Sequence, residues 1–137
     1  MKQIVVILFI LLVVNSTAHA YTHDQMIKAI IGEAEGESQR GKDAVACAII
    51  NRGSLKGVYG LHAYRVTHHL YSKKTVRAAE LADERAVSDT SYCSDLIGGA
   101  TGWGSASDVV KFRHEAWFPS VYFTAHIGNH YFYGTDG

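Results

Sequence analysis

The chain reads as a single α+β domain, mainly helical, with a small β-sheet placed late. Three observations give this reading. Apolar residues recur at helical spacing from Met26 to Ile50 and again from Val76 to Ala86; glycines crowd the stretch 98–104; aromatic and β-branched residues dominate Val121 to Ala125 and His130 to Tyr133. The chain has no internal repeat and a single proline, Pro119, so nothing divides it into two domains.

The amino end carries an export signal. Lys2 precedes an apolar run of about eleven residues, Ile4 to Val14, and a polar stretch then ends in Ala18-His19-Ala20. A membrane-spanning helix needs roughly 20 apolar residues, so the run suits a signal peptide over residues 1–20, cleaved before Tyr21. The alternative is an uncleaved anchor. The reading places the mature domain, residues 21–137, outside a bacterial inner membrane, in the periplasm or the extracellular space, with no stable membrane span after cleavage.

The elements follow in order. Thr22 or Asp24 is positioned to cap a first helix whose face is Met26, Ile27, Ile30 and Ile31, which delivers Glu33 near its end. Asp43 is expected to open a second helix, running to Arg52, whose small apolar residues Ala44, Val45, Ala48 and Ile49 suit the centre of a core. Residues 53–72 show no clean period and read mostly as loop. Lys73 to Val87 reads as a surface helix with an alanine-rich side, and Ser91 to Ser107 as glycine-dominated loop. The two aromatic runs near the end read as short strands, with Gly128-Asn129 between them as the turn expected of a hairpin.

Charge narrows the partners. The whole chain has 13 basic and 13 acidic residues; without Lys2 the mature chain has 12 against 13, and no charge block to hold nucleic acid or an anionic membrane. Cys47 and Cys93 are the only cysteines; an exported setting permits a disulfide, and a buried free thiol at Cys47 is the equal alternative. Seven histidines in the mature chain raise a metal reading, at His126 and His130 or at His68-His69. Gly128 interrupts the helix that would align His126 with His130, and there is no H-E-x-x-H, so neither a metal nor another cofactor is expected.

The densest chemical signal is Glu33-Ala34-Glu35-Gly36-Glu37, three carboxylates in five residues. Like charges that close disfavour one another's ionised form, and an apolar surround does the same, which suits a general acid. Taken alone, an acidic helix end before a glycine is more often a solvated turn. The wider context is a resemblance. Ile31-Gly32-Glu33-Ala34-Glu35-Gly36-Glu37, with the following Gly41 to Arg52, resembles the E-A-x-G-E element and the alanine-rich helix ending in N-R of the SleB-like cell wall hydrolases. Gly98-Gly99-Ala100-Thr101 resembles their G-G-A-T element, and Ile127-Gly128-Asn129-His130-Tyr131-Phe132-Tyr133 their closing I-G-x-H-x-F-Y.

The resemblance implies a lysozyme-like α+β fold and lytic transglycosylase chemistry on the peptidoglycan bond between N-acetylmuramic acid and N-acetylglucosamine, with Glu33 as the catalytic acid and Glu37 in support. Thr101 and Trp103 sit in the glycine-rich stretch, where backbone approaches a sugar and an indole stacks on one; Trp103 reads equally well as a core aromatic. His130, Tyr131 and Tyr133 read either as cleft lining or as residues divided between core and surface. Many relatives follow G-G-A-T with a histidine and an aromatic, where this chain has Gly102-Trp103-Gly104. The competing functions are a water-adding muramidase, an amidase, or a silent wall-binding module. With no wall-binding repeat in the chain, targeting falls to the domain or to another protein.

Overall fold

A computed structural model describes residues 20–136. The expected signal peptide, apart from Ala20, lies outside the described residues. Helix α1, His23–Ala34, starts where Thr22 accepts the Gln25 N–H and the Gln25 side chain takes the Thr22 N–H in return. Of the two expected caps Thr22 is the one used; Asp24 lies inside the first turn and pairs with Lys28 at 2.7 Å. The inner face of α1 buries Met26, Ile27, Ala29, Ile30, Ile31 and Ala34.

Helix α2, Gln39–Arg52, is the centre of the molecule, with every residue from Gly41 to Ile49 buried. It begins before the expected Asp43, with Ser38 as its cap. An aspartate ahead of an apolar run is a normal start signal. Here its carboxylate is instead 1 % exposed and shared among three other side chains, accepting from Gln39 at 2.9 Å, Arg85 at 3.0 Å and the Tyr92 hydroxyl at 2.6 Å. Satisfying a buried charge from several elements is what permits it inside a helix. Asp43→Ala is expected to lower stability by about 3 kcal/mol, since it removes the acceptor of the half-buried Tyr92 hydroxyl and of Arg85 and unlinks three helices. Thermal unfolding checks this.

The segment expected to be loop contains a 3-10 turn, Tyr59–His62, and a single α-turn, α3, Tyr64–Thr67. Helix α4, Lys73–Ser88, lays Ala79, Ala82 and Ala86 against the core, so close packing on α2 follows from its small residues. The glycine-rich stretch is more ordered than its composition implies. It forms α5, Thr90–Ile97, then a strand β1, Gly102–Gly104, and enters α6, Ala106–Phe112. Asp89 caps α5, and Cys47 and Cys93 are joined in a disulfide that ties α5 to α2.

Strands β2, Val121–Ile127, and β3, His130–Thr135, form the expected hairpin and run two residues further than each expected strand. With β1 they make an antiparallel sheet in the order β1-β3-β2. Trp103 pairs with Phe132 in register, and Phe132 is fully buried against the helical core. The fold is therefore α+β, with six α-helices and a three-stranded sheet among the described residues. None of these helices is long and apolar enough to cross a membrane.

Candidate active site

Glu33 occupies the last turn of α1, and both of its carboxylate oxygens are held. The Gly60 N–H donates to Oε1 at 2.6 Å, and the Trp103 indole N–H donates to Oε2 at 3.0 Å. Gly60 reaches this position because the 3-10 turn lies directly on the α1 backbone. A Cβ on Gly32 would stand 2.0 Å from the Gly60 carbonyl oxygen, and one on Gly60 would stand 2.4 Å from the Gly32 carbonyl carbon. Only a glycine pair allows that approach. In an ordinary helix interior Gly→Ala gains about 0.5–1 kcal/mol. At Gly32 the clash with fixed backbone exceeds that gain, so Gly32→Ala is expected to cost about 2 kcal/mol net, read as a lowered melting temperature.

Trp103 comes from β1, and the end of α2 holds it there. Asn51 donates to the Ala100 carbonyl at 2.9 Å; Arg52 donates through Nε to the Thr101 carbonyl at 2.8 Å and through Nη1 to the Lys56 carbonyl at 2.9 Å. The Arg52 guanidinium lies 5.0 Å from the centre of the Trp103 ring, within cation–π range. Asn51-Arg52 thus fastens the 98–101 stretch from below, while the Thr101 N–H bonds to the Tyr133 carbonyl. Stretches far apart in the chain are brought into one constellation.

These residues open onto a cleft of about 750 Å³, lined by Glu33, Arg52, Lys56, Tyr59, Trp103 and Asp108, with an aromatic wall of Phe112, Trp117 and Tyr133. The Trp117 and Tyr133 rings are near-parallel with centres 6.2 Å apart, and Phe112 lies 5.3 Å from Trp117. Burial pushes the Tyr133 hydroxyl above its usual value, against the opposing pull of Arg52, so it is neutral at neutral pH. Ser105 caps α6, and Asp108 completes the capping box by accepting the Ser105 N–H and hydroxyl; the hydroxyl bond is the main cause of its carboxyl group lying below the ordinary range. Aromatic faces beside a few fixed polar groups suit a carbohydrate-sized ligand.

The sequence-expected site residues divide into two places. Glu33, Trp103 and Tyr133 meet in the cleft. Glu37 and His130 do not line it. The Glu37 carboxylate, 9 % exposed, accepts the Asn129 N–H and lies 3.9 Å from His130 Nδ1. Gly128, with φ of +59°, leaves it room, since a Cβ there would come within 2.0 Å of Glu37 Oε2. Lys42 meanwhile donates to the Glu37 backbone carbonyl. Glu37 is therefore a clamp between the α1–α2 junction and the hairpin tip. Thr101 contributes its backbone behind the cleft. Glu35 pairs with Arg65 at 2.9 Å, so the three neighbouring carboxylates each have separate partners.

Several cleft residues were not singled out by sequence: Lys56, Tyr59, Gly60, Asp108, Phe112 and Trp117. Trp117 had a signal available, as one of only two tryptophans. His126 stacks on Tyr131, with ring centres 4.0 Å apart, while His130 faces Glu37, so the two histidines serve different neighbours. No protein-family model, curated protein or solved structure matches the chain.

Proposed function

We propose that this protein is an exported, SleB-like cell wall enzyme with a lysozyme-like fold, a lytic transglycosylase that cuts peptidoglycan glycan strands through Glu33. The observation that carries this reading is a carboxyl group oriented through both oxygens by N–H donors, at the wall of an aromatic-lined cleft. Each oxygen has a second lone-pair site beyond the N–H it accepts, so a protonated Glu33 can still present its O–H to a ligand.

In the proposed reaction Glu33 gives its proton to the glycosidic oxygen as the bond to C1 of N-acetylmuramic acid breaks, releasing the N-acetylglucosamine hydroxyl. The 6-hydroxyl oxygen of the same muramic acid then closes on C1, and its proton returns to the Glu33 carboxylate. No water is consumed, and the product is a 1,6-anhydro end. Trp103 orients the acid through its indole N–H, while Tyr133 and Trp117 offer ring faces to flanking sugars. Export is supported by the Lys2 to Ala20 pattern and by the disulfide, which belongs to an oxidising compartment.

Asp108 favours a second reading. It is an ionised carboxylate in the same cleft, of the kind a water-adding muramidase uses beside its acid. Digestion of purified peptidoglycan followed by mass spectrometry of the released muropeptides separates the two. Anhydro ends are expected; reducing ends would establish the muramidase, cleaved stem peptides an amidase, and no release a binding module.

A further inference from the structure

Arg52 differs from the other arginines of the described residues in not being solvent-exposed. Arg65 and Arg85 each have a carboxylate partner, at 2.9 Å and 3.0 Å, whereas Arg52 has none within ion-pair distance among the described residues. Desolvating a guanidinium without a counter-ion is unfavourable, and burial accordingly draws its pKa below the usual value, with Tyr133 and Glu33 opposing. Two of its five N–H donors are fixed on the Thr101 and Lys56 carbonyls, and its Cζ lies over the Trp103 ring, 5.0 Å from the centre. This leaves a rigid, charged donor edge at the cleft. Lys56 lines the same cleft as an exposed residue, and its backbone oxygen accepts the Arg52 Nη1 bond, which puts the two cations side by side along the chain's path there.

We propose that Arg52 and Lys56 form an anion subsite that binds a carboxylate carried by the muramic acid residue at the scissile bond. The subsite rests on the glycan-cleaving reading and names the substrate form it selects. Trp103 touches both groups, bonding Glu33 through its indole N–H and carrying Arg52 on its ring face, so the anion site is about one indole away from the acid. Guanidinium matches the two oxygens of a carboxylate, and a mobile ammonium adds charge without requiring geometry. The carboxylate has two sources: the lactyl group, free once the stem peptide is removed, or an acid on the stem peptide itself.

The test compares strands stripped of stem peptides, the same strands with their lactyl carboxylates converted to methylamides, and intact peptide-bearing strands with and without amidation of the peptide acids. Cleavage is followed as kcat/KM. Binding of the corresponding disaccharides to Glu33→Gln protein is followed by calorimetry. With Arg52 and Lys56 intact, a preference of about tenfold for the free-acid form of one strand type is expected in both readouts, in cleavage by wild-type protein and in binding to Glu33→Gln, and the strand type that shows it identifies the source. Lys56→Met is expected to reduce that preference to about threefold, read as the ratio between free-acid and amidated strands within the variant. Arg52→Lys keeps the charge but loses the fork, and is expected to reduce the preference further. Equal binding of free and amidated ligands, or a preference unchanged in both variants, overturns the subsite. Carboxylate-dependent binding without cleavage of any strand upholds the subsite and overturns the lyase reading.

Discussion

Glu33→Gln is expected to lower glycan cleavage by about 10²–10⁴-fold, the usual contribution of a positioned proton donor, equivalent to about 3–5 kcal/mol of barrier. Glutamine has nearly the shape of glutamate but a different pattern of donors. In this site both oxygens of Glu33 face N–H groups, from Gly60 and from Trp103. The carboxamide can turn its oxygen to only one of them and must point its own NH₂ at the other. The variant is therefore expected to lose about 1–2 kcal/mol of stability as well as activity. Circular dichroism and a melting curve separate the two effects: a folded, slightly less stable protein without anhydro products supports the assignment. Activity within tenfold of wild type would remove Glu33 from the acid's role.

How far the sequence revealed the molecule depended on whether an element carried its own signal or borrowed it. Helix α1 and the β2–β3 hairpin were legible because their apolar residues keep a period of their own. Strand β1 was not, since Gly102-Trp103-Gly104 has little strand propensity apart from its indole. It becomes a strand because β3 offers a free edge and because only glycine leaves room for the Tyr133 ring, 2.5 Å from where a Gly102 Cβ would stand. Helix α5 is short and rich in serine and threonine, and its cap and disulfide are tertiary or flanking features. The site divides in the same way. Glu33 stood out in a dense acidic motif, but its two donors come from 27 and 70 residues away, separations at which no local pattern speaks. Glu37 lies in the same motif and serves as a clamp in the fold, because the hairpin turn offers the Asn129 N–H to its carboxylate.

Removing the Cys47–Cys93 disulfide is expected to cost about 4 kcal/mol, the chain-entropy value for a bridge spanning 46 residues. Against a typical total of about 5–15 kcal/mol for a domain, that is a large share of the stability. Both cysteines are buried, so Cys47→Ala with Cys93→Ala adds a small cavity to the lost constraint. The consequence for the site runs through α5. A helix of 8 residues is marginal by itself, and α5 leads directly into the 98–101 stretch that Asn51 and Arg52 fasten beneath Trp103. Freed from α2, α5 keeps its Asp89 cap and the Tyr92–Asp43 bond but loses its covalent anchor. The melting temperature is expected to fall on the order of 15 °C in the double variant, and by a similar amount for wild type in reducing agent. Activity should decline at temperatures where the far-ultraviolet signal is still intact, because Trp103 loosens before α1 and α2 unfold. A melting temperature unchanged on reduction would mean that packing alone holds α5, and would withdraw the disulfide as support for an oxidising compartment.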